Sequence, residues 1–128
     1  MRSVNLGGYK INSSEPVRVV AELGICHRGD LDIAKKLVDQ SVLANTDFIK
    51  FELYELDRAI SEPYRKNYSF KFSTLKNGEF EENLFDLYAK SYLSYSKAKK
   101  LIKHINKSKT PFFATVTSID GTKFLMEV

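Results

Sequence analysis

Residues 19–30, which read VVAELGICHRGD, decide the fold. The apolar start predicts a short buried strand, and the two glycines that follow bracket a turn that opens a helix. Glu22, Cys26 and His27 place a carboxylate, a thiol and an imidazole in this turn. Turns at strand ends are where α/β folds place their chemistry, although such a fold needs a polar turn there in any case. The stretch predicts an α/β fold and marks Glu22 and His27 as candidate site residues.

Composition limits the class of protein. The chain has 128 residues, is 43% hydrophobic and carries a net charge of +4. This is the size of one domain with an ordinary core. No apolar run is long enough to span a bilayer and the start lacks an apolar signal region, so we expect a cytoplasmic protein with no membrane partner. The single cysteine, Cys26, excludes an internal disulfide and fits a reducing compartment.

The positive charge is concentrated near residue 100. Six lysines lie there: Lys97, Lys99, Lys100, Lys103, Lys107 and Lys109. No aromatic residues alternate with them as base-stacking platforms would, so we interpret the run as the solvated face of a helix and expect no nucleic-acid partner. The modest excess of positive charge favours a small anionic substrate.

Strands and helices alternate along the chain. The predicted elements are a hairpin over about 4–11, a strand over 17–22, a helix capped by Asp30, a strand over 48–53, a helix over 96–107, a strand over 111–116 and a helix opened by Ser118. This alternation indicates a parallel sheet with right-handed crossovers. On the second strand Lys50 and Glu52 share one face, and because two charges are costly in a packed core we expect that face at a polar strand mouth.

A long aromatic connection, over about 54–92, interrupts this order. We predict a helical turn or two over 81–91. Connections of this length usually cover a site or form a subdomain of their own. Packing of the aromatic side chains under the loop and direct contact with a substrate both remain open.

Three motifs together resemble the N-terminal part of the sialic acid synthases, the N-acetylneuraminate synthases and their relatives acting on other nonulosonic acids. They read AELGICHRG at 21–29, TDFIKFE at 46–52 and FFATVTS at 112–118. The family patterns are roughly Ala-Glu-Ile-Gly-x-Asn-His-x-Gly, Ala-Asp-x-Val-Lys-Phe-Gln and Phe-x-Ser-Thr-Pro-Phe-Asp. Among the departures are Cys26 for Asn, Glu52 for Gln, Val116 for Pro and Ser118 for Asp.

The resemblance implies a partial (β/α)8 TIM barrel. Residues 1–128 would supply the N-terminal hairpin and the first three strand-helix units, whereas a whole barrel takes about 250 residues. We therefore expect a fragment, a truncated gene product or a chain that associates with something else. For the complete enzyme the resemblance implies a homodimer.

The activity implied by the resemblance is the condensation of phosphoenolpyruvate with an N-acylated amino sugar such as N-acetylmannosamine, with release of phosphate. Glu22 and His27 would be the catalytic residues. The substrate-binding residues would be Lys50, Glu52, Thr115 and Ser118. A divalent metal, Mn or Mg, would polarise the sugar aldehyde, with ligands on later strands and none in this chain.

Two alternatives remain open beside a working synthase. The chain could be a diverged member of the family that binds an acidic or phosphorylated sugar without catalysis. It could instead be an α/β module whose role is assembly with another chain. The Glu52 carboxylate bears on the first alternative, because it places negative charge where an anionic substrate should lie.

Overall fold

The structure is a computed structural model that describes residues 2–74 and 78–128. Its strands are β1 (Val4–Leu6), β2 (Tyr9–Ile11), β3 (Val20–Gly24), β4 (Phe48–Leu53), β5 (Ser69–Thr74), β6 (Gly78–Asn83) and β7 (Phe112–Val116). Its helices are α1 (Leu31–Leu43), α2 (Leu56–Ala59), α3 (Glu62–Asn67), α4 (Leu84–Ser91), α5 (Tyr95–Ser108) and α6 (Ile119–Glu127).

A three-stranded parallel sheet organises the molecule. Its order is β3-β4-β7, so the strand with the most buried residues, β4, lies in the centre. Helices connect the strands, as parallel pairing requires. The predicted α/β class and parallel sheet are confirmed.

One face of this sheet packs against helices and forms the core. From β4, Ile49, Phe51 and Leu53 point to this side and are buried. They form one cluster with Val38 of α1 and Leu101 of α5, among others. Burying each of these large side chains stabilises the fold by roughly 1.5–3 kcal/mol, which makes the helix-covered face the main source of stability.

The first helix begins where the sequence predicts. The Asp30 carboxylate accepts hydrogen bonds from the backbone N–H groups of Asp32 and Ile33 at 2.7 and 3.0 Å, which satisfies two donors of the first turn. After the helix, Asn45 adopts a left-handed conformation, with φ +54°.

The first strand begins three residues later than predicted, at Val20 instead of Val17. The reason is that a side chain, and not a neighbouring strand, accepts the backbone hydrogen bond just before Val20. The Asp47 carboxylate accepts the N–H of Val19 at 2.8 Å and the guanidinium of Arg18 at 3.0 Å. The apolar run before Val20 is therefore held beside the sheet, with Val17 exposed.

The predicted hairpin is confirmed and lies at the amino end of the sheet. Gly7 and Gly8 have φ of +54° and +86°, which lets a two-residue turn join β1 to β2. The ring of Tyr9 packs edge-on against Phe48, the first residue of β4, at 5.3 Å between centroids. A Cβ on Gly7 would lie 2.7 Å from the Cβ of Pro111, so the hairpin is docked closely against the sheet.

The long connection has structure of its own, and it extends well beyond the predicted helical turns. It contains α2, α3, an antiparallel β5-β6 hairpin and α4, while its residues 75–77 lie outside the described residues. The predicted helical turns over 81–91 are right only from Leu84 onward. The Asn83 amide accepts the N–H of Phe85 at 2.8 Å and starts α4 there, whereas the residues before it pair with β5.

Aromatic side chains pack among themselves in this connection. The hydroxyl of Tyr54 donates to the carbonyl of Tyr88 at 2.8 Å, and the two rings lie 5.0 Å apart. Burial among Tyr88 and Tyr92, with the charge of Glu52 nearby, raises the pKa of Tyr54 far above its ordinary value. Packing of the aromatic residues is therefore present, and contact of the connection with a substrate remains a hypothesis.

Candidate active site

The second face of the sheet carries the polar residues. The register pairs Glu22 of β3 with Lys50 of β4, and Glu52 of β4 with Thr115 of β7. Paired residues of neighbouring parallel strands project from the same face, and residues two apart on one strand share a face. Four of the six predicted site residues, Glu22, Lys50, Glu52 and Thr115, are therefore brought together toward the carboxyl end of the sheet.

An ion pair joins Glu22 of β3 to Lys50 of the central strand. The Lys50 ammonium donates to Oε2 of Glu22, and Oε1 of Glu22 accepts the N–H of Gly24 at 3.0 Å. Gly24 has φ +50° and lies at an irregularity in the register, so the backbone turns back toward the carboxylate. Both charges reach solvent, which limits the contribution of the pair to stability and leaves the ammonium accessible to an anion.

A groove lies on the same face, toward the amino end. It has a volume of about 440 Å³ and is lined mainly by apolar side chains from the hairpin, residues 16–20 and the strands. Val20, Phe48 and Phe113 form its sheet side. Apolar contact surface therefore lies directly beside the polar group, on a face that no helix among the described residues covers.

His27 is built into the turn and does not lie on the sheet face. It is 1% exposed, and its Nδ1 accepts the N–H of Gly29 at 3.0 Å. Nε2 therefore carries the proton, and it is buried without a hydrogen-bond partner among the described residues. Burial, together with the nearby Lys97 cation, lowers the pKa of His27 and favours the neutral ring, although Asp30 opposes this. Its catalytic role stays a prediction, and its surroundings favour a structural one.

The turn around His27 is closed by the junction between α4 and α5. Gly29 has φ +71°, and a Cβ there would lie 2.9 Å from the carbonyl oxygen of Lys90. The Lys97 ammonium donates to the carbonyl of Gly29 at 2.7 Å. Contacts from residues more than sixty positions away thus bury the imidazole, and nothing in the local sequence signals this.

Ser118 is the cap of α6 and belongs to a second polar group. Its Oγ accepts the N–H of Gly121 at 2.9 Å and donates to Oε1 of Glu55 at 2.9 Å. Glu55 also accepts the hydroxyl of Tyr95 and pairs with Arg58 at 2.9 Å. These donors, from Tyr95 first and Ser118 second, lower the pKa of Glu55. Sequence reasoning missed Glu55, for which the only signal is its position two residues after a strand.

The described residues contain no cluster suited to a metal ion. No three His, Cys, Asp or Glu side chains gather closely enough to hold one within residues 2–74 and 78–128. In the same ranges, every helix is too short or too polar to cross a membrane.

Together these features define an α/β protein with a candidate ligand site at the carboxyl ends of parallel strands. Residues 37–128 match the NeuB family, and the chain belongs to that family. The resemblance to the sialic acid synthases is thereby confirmed.

Named relatives agree with this assignment. The chain is 29% identical over 110 residues to the N,N'-diacetyllegionaminic acid synthase of Campylobacter jejuni, a match that covers 86% of this chain and 32% of that protein. It is 31% identical over 68 residues to the N-acetylneuraminate-9-phosphate synthase of Homo sapiens, covering 49% of this chain and 19% of that protein. The chain thus spans about a third or less of the length of these relatives.

A solved structure shares the fold. The N-acetylneuraminic acid (sialic acid) synthetase of Leptospira borgpetersenii, crystallised in complex with citrate, superposes with a TM-score of 0.76 at 25% identity. The superposition covers 98% of this chain and 38% of the synthetase. The α/β fold of this chain is therefore similar to that of a sialic acid synthetase.

Proposed function

We propose that residues 1–128 form the first part of a (β/α)8 barrel in an enzyme that makes a nonulosonic acid. The enzyme would condense phosphoenolpyruvate with an N-acylated amino sugar such as N-acetylmannosamine and release phosphate. The observation that carries the proposal is the arrangement of Glu22, Lys50 and Thr115 on one face of three parallel strands. Barrel enzymes hold their substrates at this end of the strands.

Lys50 and Thr115 would bind phosphoenolpyruvate. The ammonium of Lys50 is a point charge suited to a phosphate or carboxylate, and its ion pair with Glu22 keeps it at the mouth. Thr115 is exposed, and its hydroxyl would donate a hydrogen bond to the same ligand. The citrate in the Leptospira synthetase, a polycarboxylate, supports an anionic ligand for this fold.

Glu22 would act on the reacting atoms. Carbon three of phosphoenolpyruvate attacks the aldehyde carbon of the open-chain sugar and forms the new C–C bond. Water then adds to the oxocarbenium carbon and loses a proton to the Glu22 carboxylate, which passes it to the alkoxide left on the former aldehyde oxygen. The new hydroxyl forms the keto C=O as phosphate leaves with the electrons of its C–O bond and takes the hydroxyl proton. As the resemblance implies, the divalent metal expected for this chemistry would take its ligands from later strands, outside residues 1–128.

The remaining predicted residues have narrower roles in this proposal. Glu52 would tune the charge next to Lys50, and Ser118 would contact substrate only through the part of its hydroxyl that Glu55 and Gly121 leave free. His27 would shape the mouth from within its turn. A homodimer and a cytoplasmic location for the complete enzyme are further parts of the proposal.

A chimera tests this function. Residues 1–128 would replace the corresponding segment of the Leptospira synthetase, which they match over 98% of their length. We expect phosphate release that requires phosphoenolpyruvate, N-acetylmannosamine and Mn²⁺ together. A chimera that unfolds as cooperatively as the parent synthetase yet releases no phosphate contradicts the proposal. If it binds phosphoenolpyruvate without turnover, the non-catalytic binding module replaces the synthase as the better account.

A further inference from the structure

A polar group at the carboxyl end of the sheet gathers three segments around one carboxylate, that of Glu55. Oε1 accepts the Ser118 hydroxyl at 2.9 Å and the Tyr95 hydroxyl in a second, short contact. Oε2 pairs with Nε of Arg58 at 2.9 Å. Glu55 follows β4, Tyr95 is the first residue of α5, and Ser118 is the cap of α6, so one side chain joins the exits of two strands.

The first turn of α6 is held a second time. Nη1 of Arg58 pairs with Oδ2 of Asp120 at 2.9 Å, and the ring of Tyr95 stacks on Phe124 at 4.7 Å between centroids. Arg58 and Tyr95, two of the three groups that contact Glu55, therefore also contact α6 directly, and the third, Ser118, is its cap. The ionic contact holds the first turn of α6, and the aromatic contact holds the turn after it.

We propose that Glu55 is a positioning residue, which fixes the cap of α6 against the end of β4 and thereby sets the segment from Thr115, near the end of β7, to Ser118. Thr115 precedes the cap by three residues, and its strand partner is Glu52. The Glu55 side chain is 20% exposed, so protein donors have replaced most of its water. Its relevance to catalysis rests on the proposed function, whereas the positioning itself does not.

A merely stabilising role would make a different prediction. If Glu55 only adds to global stability, its removal accelerates amide exchange over the whole chain in proportion. If it positions α6, the effect is confined to the first turn of that helix. The amides of Gly121 and Thr122 report on this turn, because they bond to the side chain and carbonyl of Ser118.

The experiment is hydrogen exchange on the 128-residue chain and on Glu55→Ala and Glu55→Gln. We expect Glu55→Ala to speed exchange of the Gly121 and Thr122 amides at least tenfold, with the Ala98 amide at the start of α5 unchanged. Glu55→Gln has a smaller effect, because its amide oxygen still accepts the two hydroxyls. Asp57→Asn is the matched control, since that carboxylate lies in the same segment with its side chain 83% exposed, and should change neither amide.

A double-mutant cycle with Ser118→Ala completes the test. If Glu55 acts through Ser118, the two substitutions are not additive in the exchange rate of Thr122, whereas Asp57→Asn and Ser118→Ala are additive. Unchanged exchange in Glu55→Ala, or acceleration spread evenly over the chain, overturns the proposal. If the chimera releases no phosphate, this contradicts only the proposed synthase activity. The hydrogen-exchange result still tests the positioning role of Glu55.

Discussion

At the scale of single residues, His27 is a buried titratable group whose protonated, charged form is disfavoured in the folded chain. Its ring accepts one hydrogen bond from Gly29 through Nδ1, and protonation of that nitrogen would remove the acceptor. Burial comes first among the causes that lower its pKa, and Lys97 adds to it. Protonation of the imidazole would therefore weaken the turn that follows β3, the strand that carries Glu22.

His27 should make the protein less stable in mild acid. Because the pKa in the folded chain is lower than the ordinary 6.5, the unfolded chain takes up the proton first as the pH falls. His27 should not lower the free energy of unfolding above about pH 6.5. Below that pH, the free energy of unfolding should decrease as the pH falls. Urea unfolding at pH 7.5 and pH 5.5 measures the difference.

Two variants separate this effect from other titrations. His27→Gln should flatten the stability profile between these pH values. His104→Gln should retain the slope that His27 causes, because His104 lies at the surface beside Asp39. An unchanged slope in His27→Gln would show that another group is responsible.

Sequence motifs can identify a site residue when its contact partners lie in the same short stretch of sequence or at paired positions of regular strands. Lys50 and Thr115 follow from strand ends, and the register then brings Glu22 to Lys50. Glu55 has no such signal, because its donors come from 40 and 63 positions away, at Tyr95 and Ser118. Those contacts depend on how the connection folds back, which no local pattern specifies.

At the scale of elements, the N-terminal hairpin closes the amino end of the sheet face opposite the helices. Gly7 lies within contact distance of Phe48 and Pro111, which begin β4 and precede β7. Gly8, the other residue of the turn, has open space around its Cβ position. The two glycines therefore differ in packing while both have positive φ.

Gly7→Ala should destabilise the protein more than Gly8→Ala. Each substitution forces an L-residue into the left-handed region, at a cost of roughly 1–2 kcal/mol. Gly7→Ala adds a clash with Pro111 and Phe48, for which we expect about 1–3 kcal/mol more. Urea unfolding of the two variants gives the difference directly, and equal losses would mean that the hairpin does not dock on the sheet in solution.

Elements whose apolar residues recur with a single period could be predicted from the sequence. Elements whose position depends on long-range packing could not. The strand over 48–53 matches β4 because it alternates buried and charged residues. The β5-β6 hairpin was missed, although Asn77-Gly78 is a typical turn pair in the sequence, because helical turns are the one type of element predicted within the connection. Val17 was assigned to a strand because it is apolar, but Asp47 holds the segment after it away from the ladder.

At the scale of the whole molecule, the sheet has one covered face and one open face. Apolar side chains on and beside the open face reach solvent, including Val17, which is 90% exposed, Val20 and Phe113. Contiguous apolar surface of this kind usually contacts further protein. In relatives, whose chains are about three times longer, further structure is available to cover it.

The 128-residue chain should therefore self-associate as its concentration rises. Val17→Lys combined with Val20→Lys should suppress this association, because the charges interrupt the apolar surface beside the groove. Leu43→Lys is the control, since Leu43 is 73% exposed on α1, away from that face. Sedimentation velocity distinguishes the variants, and a wild-type chain that stays monomeric at every concentration would argue against an interacting face.

The most direct test of the proposed site is phosphate release by the chimera carrying Lys50→Ala. Removing the ammonium takes away the charge that would bind phosphoenolpyruvate, and we expect turnover to fall by roughly 100-fold or more. Lys99→Ala, on the exposed face of α5, should leave turnover unchanged. If the Lys50→Ala chimera releases phosphate as fast as its parent, the strand-end group is not the site of the reaction.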